Sequence, residues 1–310
     1  MAGLAQEPGR ILVIKLGALG DFVHAFHAFA AIRAGYLAAS ITLLTTAPFR
    51  ALAEASPWFD DVRIDQRPAW WNLSDLAATR RALHGFDLVF DLQTSRRSAR
   101  YYRLAGRPPW SGVAAGCSLP HTNPARNSMH TLERQRQQLE AAGLTDFPLP
   151  DRRWMAERGG RHGLVPPYAL LMPGGGGVGA AKRWPPQAFG ALAQGLTPRL
   201  TVAIIGGPAE REIAHIITGL CPAAVDLVGR TSFEDIAALA AGAALVVGND
   251  TGPLQLAATM GPSTLALFSS ATDPRQAAPR GPALEWAEII QVSNLETLAP
   301  ETVLAKANSR

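Results

Sequence analysis

The feature that most constrains this fold is an alternation of short apolar runs with helix-length segments, which occurs twice along the 310-residue chain. In the first half, strand-length apolar runs occur at residues 10–16, 41–45, 62–65 and 86–92. Each is followed by a segment typical of a helix, such as the ones predicted at 22–33 and 126–142. Because parallel strands need a helix-length crossover between them, this order predicts a parallel sheet with helices on both faces.

The second half repeats the alternation after a loop-rich passage marked by prolines at 148, 150, 166 and 167. The predicted strands lie at 168–172, 200–205, 225–228, 243–247 and 264–268, and the helices between them at 186–196, 209–220, 233–241 and 253–260. Since a chain of this length usually has two cores, we predict domains at 1–155 and 156–310. Both are expected to be doubly wound, Rossmann-like α/β domains that face a central cleft, with a last helix that can cross back to the first domain.

The composition is that of a globular protein, with 47% hydrophobic and 17% charged residues. The longest apolar runs, such as 243–247 and 265–268, are far shorter than the roughly 20 residues that cross a bilayer. No signal-peptide pattern is apparent, and Cys117 and Cys221 are too few for a disulfide framework or a zinc site. We therefore expect a cytoplasmic protein. The net charge of +4 permits an anionic partner.

Ligands of doubly wound sheets bind beyond the carboxyl ends of the strands, which directs attention to four loops: 17–21, 173–183, 206–210 and 248–252. The second of these is rich in glycine, including Gly174, Gly175, Gly176 and Gly177, and contains Lys182. Its backbone N–H groups can surround a phosphate, although the loop lacks the Walker pattern because no Ser or Thr follows Lys182. The alternative is a flexible connector.

The loop at 248–252 ends an apolar run and opens a predicted helix at Pro253. The start of a helix exposes unpaired N–H groups and the positive end of its dipole, which favours an anionic or polyhydroxylated ligand. Asp250, Thr251 and Gly252 are therefore candidate binding residues. The alternative is an ordinary capped turn in which Asp250 satisfies its own helix.

In the first half, Asp21 follows Gly20 at the start of the first helix, and His24 lies one turn further on. A carboxylate in this place either caps the helix or acts as a general base. His24 is either a packed side chain or a neighbour of the site. The loop at 17–20 has no GxGxxG pattern, so a nicotinamide enzyme has only the general fold in its favour.

Five arginines follow the strand predicted at 86–92, and four of them recur at spacings of four, three and four: Arg96, Arg100, Arg103 and Arg107. This spacing predicts one basic helix face, to which Arg97 adds a fifth charge. The face is either an anion-binding surface or a solvated surface paired with acidic residues. Binding of nucleic acid is not predicted, because aromatic residues nearby are few and no nucleic-acid motif accompanies them.

The sequence contains no Asp-x-Asp triplet and no histidines at HExxH spacing, so we predict no obligatory metal. The charge of a bound diphosphate would then be balanced by Lys182, helix ends and backbone N–H groups. This distribution of positive charge suits an enzyme that transfers a sugar from a nucleotide-sugar held between two domains.

Several short motifs occur in a characteristic order along nearly the whole chain: 11–15 with Gly20, Asp21 and His24, then 86–93, 182–185, 206–210, and 248–253 with 272–274. In this combination the chain resembles the ADP-heptose:lipopolysaccharide heptosyltransferases of glycosyltransferase family 9, which have the GT-B fold. The resemblance implies an inverting transfer of a heptose from an ADP-sugar to a lipopolysaccharide core acceptor, with no cofactor besides the donor substrate.

The resemblance also implies roles for individual residues. Asp21 matches the general base that takes the proton from the acceptor hydroxyl, and Lys182 matches the lysine that holds the donor phosphates. Glu210 corresponds to a carboxylate on the ribose hydroxyls, Thr231 to an adenosine contact, and the loop at 250–252 to the diphosphate and sugar.

For the acceptor, the resemblance favours a site in the first domain, with Gly20, His24, Arg96, Arg97 and Arg100 as candidate contacts. The arginines would meet an anionic, lipid-linked glycan at the inner face of the cytoplasmic membrane, where peripheral contact of the protein is expected.

The chain departs from the family pattern at Gln255, where a histidine is usual, and at His27, where a proline is common. Gln255 can form hydrogen bonds in a donor site, but it cannot carry a proton at neutral pH. These departures leave open a transferase that uses another nucleotide-sugar, an epimerase or hydrolase of the same fold, and a family member that binds a nucleotide-sugar or glycan without turnover.

Overall fold

A computed structural model describes residues 7–67, 71–175 and 183–309 of the chain. The chain divides into two compact units, Met1–Pro150 and Asp151–Arg310. None of the helices formed by the described residues is long and apolar enough to span a membrane.

The first unit contains a six-stranded parallel sheet among its described residues, in the order β3-β2-β1-β4-β5-β6. Its strands are β1 (Arg10–Ile14), β2 (Ser40–Thr45), β3 (Asp61–Ile64), β4 (Leu88–Asp91), β5 (Trp110–Gly112) and β6 (Leu119–Pro120). Its helices are α1 (Leu19–His24), α2 (Phe26–Gly35), α3 (Arg50–Ala55), α4 (Leu73–Leu83), α5 (Arg96–Leu104) and α6 (Thr131–Ala141). The predicted α/β alternation is confirmed, and β5 and β6 are additional strands too short to show a pattern in the sequence.

Two helices of this unit differ from the prediction. The helix predicted at 22–33 is divided into α1 and α2 at Ala25, whose N–H bonds to the carbonyl of Phe22 three residues back and tightens the turn. The helix predicted from residue 126 begins at Thr131, because the ring Nδ1 of His130 accepts the N–H of Leu132 and caps the helix there.

The described residues of the second unit form another six-stranded parallel sheet, in the order β12-β11-β10-β7-β8-β9. Its strands are β7 (Tyr168–Met172), β8 (Thr201–Ile204), β9 (Val225–Asp226), β10 (Leu245–Asn249), β11 (Ser263–Phe268) and β12 (Glu288–Gln291). Its helices are α7 (Arg153–Arg158), α8 (Pro186–Leu196), α9 (Arg211–Leu220), α10 (Phe233–Gly242), α11 (Gly252–Ala258), α12 (Pro274–Ala277) and α13 (Pro300–Asn308). The strand predicted at 243–247 lies two residues later, since Asn249 still pairs with Leu267 of β11.

The last helix, α13, packs against α8 of its own unit. Val303 and Ala307 of this helix belong to the same hydrophobic core as Leu192 and Leu196 of α8. The indole N–H of Trp184 also donates to the carbonyl of Leu298, just before α13. Helix α13 therefore contributes to the hydrophobic core of the second unit.

Both sheets have the strand order of a Rossmann fold, because β7 to β12 repeat the arrangement of β1 to β6. In each, the direction of strand addition reverses between the first and fourth strands, which are β1 and β4 in one unit and β7 and β10 in the other. Ligands of such sheets bind at the carboxyl ends of these central strands, so the topology selects the loops that follow them.

Candidate functional site

The glycine-rich loop of the second unit is held at both ends by Asn249, the fully buried last residue of β10. The side-chain oxygen of Asn249 accepts the N–H of Trp184 at 3.1 Å. Its amide nitrogen donates to the carbonyls of Pro173 and Gly174 at 2.9 and 3.1 Å. One side chain therefore joins the ends of β7 and β10 and sets where the loop leaves and re-enters the fold. Residues 176–182, which include the predicted Gly176, Gly177 and Lys182, lie outside the described part of the chain.

Glu210 brings the loop after β8 against the loop after β7. Its carboxylate accepts the N–H of Gly207 at 2.8 Å. A Cβ atom added to Gly174 would lie 3.5 Å from the Glu210 carboxyl carbon, and one added to Gly206 would lie 3.0 Å from its Cβ. The two glycines thus allow a half-buried carboxylate to lie between two loops at the carboxyl edge of the sheet.

The turn after β10 presents a hydroxyl that has no hydrogen-bond partner among the described residues. Thr251 occupies the N-cap position of α11, which begins at Gly252, one residue earlier than predicted. Its side chain makes no capping bond, and its Oγ1 is buried without a partner among the described residues. A buried hydroxyl without a partner costs free energy, so a ligand that bonds to it is favoured. Asp250 is half-buried beside it.

Gln255 lies one turn into α11 and is 3% exposed. Its amide nitrogen donates to the carbonyl of Ala277, the last residue of α12. Its Oε1 is buried without a hydrogen-bond partner among the described residues. The donor half of this amide therefore joins α11 to α12, while its acceptor half stays unsatisfied within the described part of the unit.

The predicted donor residues of the second unit that the structure describes lie along one edge of the sheet: Gly174, Gly175, Glu210, Thr231, Asp250, Thr251, Gly252 and Gln255. Thr231 follows β9, whose end is joined to that of β8 by the N–H of Gly229 and the carbonyl of Gly206 at 2.8 Å. Sequence reasoning missed Asn249 and also Arg183, whose side chain packs against Gly175. An amide residue at a strand end, directly before the Asp-Thr-Gly run, is the signal that could have indicated Asn249.

In the first unit the carboxamide of Gln93 connects the ends of β1 and β4, as that of Asn249 connects the ends of β7 and β10. The side-chain oxygen of Gln93, two residues after β4, accepts the N–H of Leu16, two residues after β1, at 2.8 Å. This bond ties the loop that leads to Asp21 to the end of β4. Asp21 is half-buried in the first turn of α1, whose N-cap residue is Ala18, and α1 has no side-chain capping bond.

Two ionisable side chains are buried at the ends of β1 and β4. Lys15 is 3% exposed, and burial lowers the pKa of its ammonium group, whereas the negative charges of Asp21 and Asp91 oppose that shift. Burial also raises the pKa of the fully buried Asp91 to about 6, although hydrogen bonds from the N–H groups of Thr94 and Gln93 favour its charged form. Lys15 is therefore close enough to interact electrostatically with Asp21 and with Asp91. Asp91 is not among the site residues predicted from the sequence.

His24 is buried, with its ring 5.0 Å from that of His130 in an edge-to-face arrangement. Gly20, the other predicted acceptor contact on α1, is half-buried next to Asp21.

A cavity of about 420 Å³ opens at the carboxyl ends of β1 to β4. Its lining includes the turn at 16–18, Phe49, Gln93 and two arginines, Arg67 and Arg97. Arg97 is half-buried, whereas Arg96 and Arg100 are exposed. Of the predicted contacts on α5, Arg97 is thus the one that lines the cavity, and Arg67 joins it from the loop after β3.

The predicted basic face is shorter than its spacing suggested. Helix α5 ends at Leu104, so Arg107 lies beyond it, with a positive φ of 60°. Gly106, with φ of 86°, turns the chain away directly after the helix. The exposed helical face consists of Arg96, Arg100 and Arg103. The described residues contain no cluster of three or more His, Cys, Asp or Glu side chains able to hold a metal ion.

A protein-family model described as glycosyltransferase family 9 (heptosyltransferase) matches residues 77–304. Lipopolysaccharide heptosyltransferase 1 of Pseudomonas aeruginosa is 29% identical over 290 residues, covering 84% of this chain and 78% of the relative. The structure of E. coli heptosyltransferase WaaC with ADP matches with a TM-score of 0.79 at 20% identity, covering 97% of this chain and 99% of that one. A glycosyltransferase family 9 structure from Veillonella parvula has a TM-score of 0.78 at 19% identity, with 97% and 96% covered. With these structures the chain shares the GT-B fold of two Rossmann-like units.

The buried carboxyl of Asp91 predicts a pH-dependent stability. Between about pH 4 and 6 the folded state keeps the proton of Asp91, which the unfolded state releases, so stability falls as the pH rises. A pKa raised from 3.8 to about 6 corresponds to a loss of about 3 kcal/mol. Replacement by asparagine removes this loss, so the Tm of Asp91→Asn relative to wild type should rise steadily from pH 4 to pH 7.

The matched control is Asp61→Asn, which removes an exposed carboxyl of the same sheet. Only the change of the Tm difference with pH is diagnostic, because the amide also alters local hydrogen bonds. A Tm difference for Asp91→Asn that stays constant from pH 4 to 7 would contradict the assignment.

Proposed function

Since the chain belongs to glycosyltransferase family 9, we propose that it transfers a heptose from an ADP-sugar to a lipopolysaccharide core acceptor, with inversion and without a metal ion. The family match over residues 77–304 is the observation that carries this proposal, and it makes the chain a glycosyltransferase. The finer assignment draws on the relatives: one is named a lipopolysaccharide heptosyltransferase, and WaaC was solved with ADP and with ADP-2-deoxy-2-fluoro heptose.

We assign the donor to the C-terminal domain, residues 156–310. Lys182 and the N–H groups of the loop at 174–177 would bind the diphosphate, and Glu210 the ribose hydroxyls. The half-buried position of Glu210 between two loops supports this role, because its carboxylate lies at the strand ends where nucleotides bind. Thr231 would contact the adenosine.

The turn at 250–252 would meet the diphosphate and the sugar. The Oγ1 of Thr251, which has no hydrogen-bond partner in the described part of the chain, supports this assignment, since a phosphate or sugar oxygen would satisfy it. Gln255 would complete this wall of the donor site, with its Oε1 able to accept a hydrogen bond from a sugar hydroxyl.

We assign the acceptor and the general base Asp21 to the N-terminal domain, residues 1–155. As the acceptor hydroxyl attacks the anomeric carbon, Asp21 takes its proton, a new glycosidic bond forms, and the bond to the ADP oxygen breaks. Lys182 would stabilise the negative charge that develops on the departing ADP. Gly20, His24, Arg96, Arg97 and Arg100 remain the proposed surroundings of the acceptor, with Arg97 supported by its position in the cavity.

Replacement of Asp21 by the near-isosteric asparagine tests the proposed base. We expect transfer to fall by about 10²–10⁴-fold, because general base catalysis contributes this much. The affinity for ADP-heptose, measured by calorimetry without acceptor, should stay unchanged. Lys182→Ala serves as the contrasting variant and should weaken donor binding and turnover together.

Normal turnover of Asp21→Asn would contradict the role of the base, and normal donor kinetics of Lys182→Ala would contradict the phosphate contact.

The same transfer assay tests the proposed inversion and the proposed independence from metal ions. NMR of the product gives its anomeric configuration, and retention would contradict inversion. Transfer that EDTA abolishes and a divalent cation restores would contradict metal independence.

The identity of the donor is tested by thermal shift. A ligand that binds only the folded state raises stability by RT ln(1 + [L]/Kd), so the tightest donor gives the largest rise in Tm at equal concentration. We expect ADP-heptose to exceed ADP-, UDP- and GDP-hexoses. A larger rise with another nucleotide-sugar would reassign the donor. Consumption of donor in the absence of acceptor would favour a hydrolase or an epimerase.

We also propose that the first unit contacts the inner face of the cytoplasmic membrane, where a lipid-linked acceptor would lie. The chain has six arginines and no Asp or Glu between positions 92 and 132, which suits an anionic surface. Leu73, the first residue of α4, is 81% exposed, and Trp71, two residues before it, is 86% exposed. Helix α4 packs against the arginine-bearing α5. An exposed tryptophan beside basic residues is typical of membrane-surface segments.

Cosedimentation with phosphatidylglycerol–phosphatidylcholine vesicles tests this contact. We expect binding that weakens with added salt and is reduced several-fold by the double change Trp71→Ala and Leu73→Ala, whose apolar surface would otherwise enter the interface. Leu37→Ala, which removes another exposed leucine of the same unit, should leave binding unchanged. Equal binding of wild type and the double variant would show that these side chains are not the contact.

A further inference from the structure

A buried hydrogen bond between α5 and the segment after β3 lies next to the two arginines of the first-unit cavity. Tyr101 of α5 is fully buried, and its hydroxyl donates to the carboxylate of Asp65, with both oxygens at 2.9 Å. Asp65 follows β3 and is 7% exposed. The pair joins two segments 36 positions apart in the sequence, and neither side chain belongs to the lining of the cavity.

Both cavity arginines are attached to this pair. The N–H of Arg67 donates to Asp65 Oδ1 at 2.9 Å. This bond holds the backbone of Arg67 at a φ of 51°, a left-handed conformation that costs free energy outside glycine. Arg97 precedes Tyr101 by one turn of α5, which makes the two side chains neighbours, and its guanidinium opposes the rise of the Tyr101 pKa. Tyr101 therefore neighbours both the cation of Arg97 and the anion of Asp65.

The Tyr101 hydroxyl has the protonation state that a hydrogen bond to the carboxylate of Asp65 requires. Burial raises the pKa of its phenol well above the ordinary value, Arg97 opposes the rise, and Asp65 adds to it. The hydroxyl thus keeps its proton at neutral pH and donates it to Asp65, while its oxygen can accept from Arg97. Removing that oxygen would let Arg97 pair directly with Asp65, since a guanidinium and a carboxylate in a buried site attract strongly.

We propose that Tyr101 is a positioning residue that keeps Arg97 apart from the buried carboxylate of Asp65, so that Arg97 and Arg67 direct their charges at an anionic group of the acceptor in the cavity. The inference rests on the acceptor role proposed above for the first unit. It assigns a function to Tyr101 and Asp65, which do not line the cavity. By holding the two arginines in place, these side chains make the cavity selective for an anion.

The test is Tyr101→Phe, which deletes only the hydroxyl. We expect the KM for the anionic acceptor to rise about tenfold, the effect of losing one hydrogen bond to a charged group, while the KM for the donor stays the same. The matched control is Tyr102→Phe, which deletes the hydroxyl of the neighbouring tyrosine on α5, bonded to the carbonyl of Gly116 at 2.9 Å. Tyr102→Phe should leave both KM values unchanged.

A second variant separates positioning from simple loss of structure. In the double change Asp65→Asn and Tyr101→Phe, position 65 no longer offers Arg97 a carboxylate, so the acceptor KM should return most of the way to the wild-type value. Structural damage alone would make the double variant worse than the single one. An unchanged KM in Tyr101→Phe, an equal rise in Tyr102→Phe, or no recovery in the double variant would each overturn the proposal.

Equilibrium binding keeps this inference separate from the proposed reaction. Calorimetry with the anionic oligosaccharide released from lipopolysaccharide by deacylation, in the absence of donor, needs no turnover. If the wild type transfers no heptose, the proposed function fails, and the same order of affinities among the variants still supports the role of Tyr101. If transfer is normal but the affinities do not differ, the role of Tyr101 fails alone.

Discussion

The reversal of strand order at the centre of each sheet is the constraint on which both candidate sites depend. Where β1 meets β4, and where β7 meets β10, the loops after neighbouring strands leave toward opposite faces and open a crevice between them. In both units a carboxamide closes the base of that crevice. Gln93 accepts the N–H of Leu16 across one, and Asn249 bonds to Pro173, Gly174 and Trp184 across the other.

A carboxamide suits this position because it is polar without being charged. It both donates and accepts hydrogen bonds, so it satisfies backbone groups of two strands at once and needs no counter-ion. Charged groups in the same environment behave differently, since burial raises the pKa of Asp91 to about 6 and lowers that of Lys15. The neutral bridges therefore set the loops in place, while the ionisable groups next to them stay sensitive to pH and to any bound charge.

Most of the fold could be predicted from the sequence, because the spacing of apolar residues in a strand or helix depends only on residues close to one another in the chain. Strands such as β7 and helices such as α8 agree with the prediction to the residue, and the loops that carry the predicted donor residues follow directly from the strand order. The short strands β5 and β6 were missed, since two or three residues show no period. The links of Asn249 to Trp184 and of Asp65 to Tyr101 were missed as well, because they join residues 65 and 36 positions apart.

The hydrogen bonds of Gln255 show what changes when glutamine stands in place of the usual histidine. A histidine at this position would present either a neutral ring or a cation, with the balance set by pH. The glutamine is 3% exposed and donates to the carbonyl of Ala277, a bond that any N–H donor of suitable length could make. What the substitution removes is the titratable group, because an amide carries no charge at either pH extreme. In the proposed donor site, the positive charge that balances a diphosphate would then come from other residues on the carboxyl edge of this sheet. The buried Oγ1 of Thr251 and Oε1 of Gln255, which have no hydrogen-bond partner among the described residues, would be available to distinguish one sugar from another.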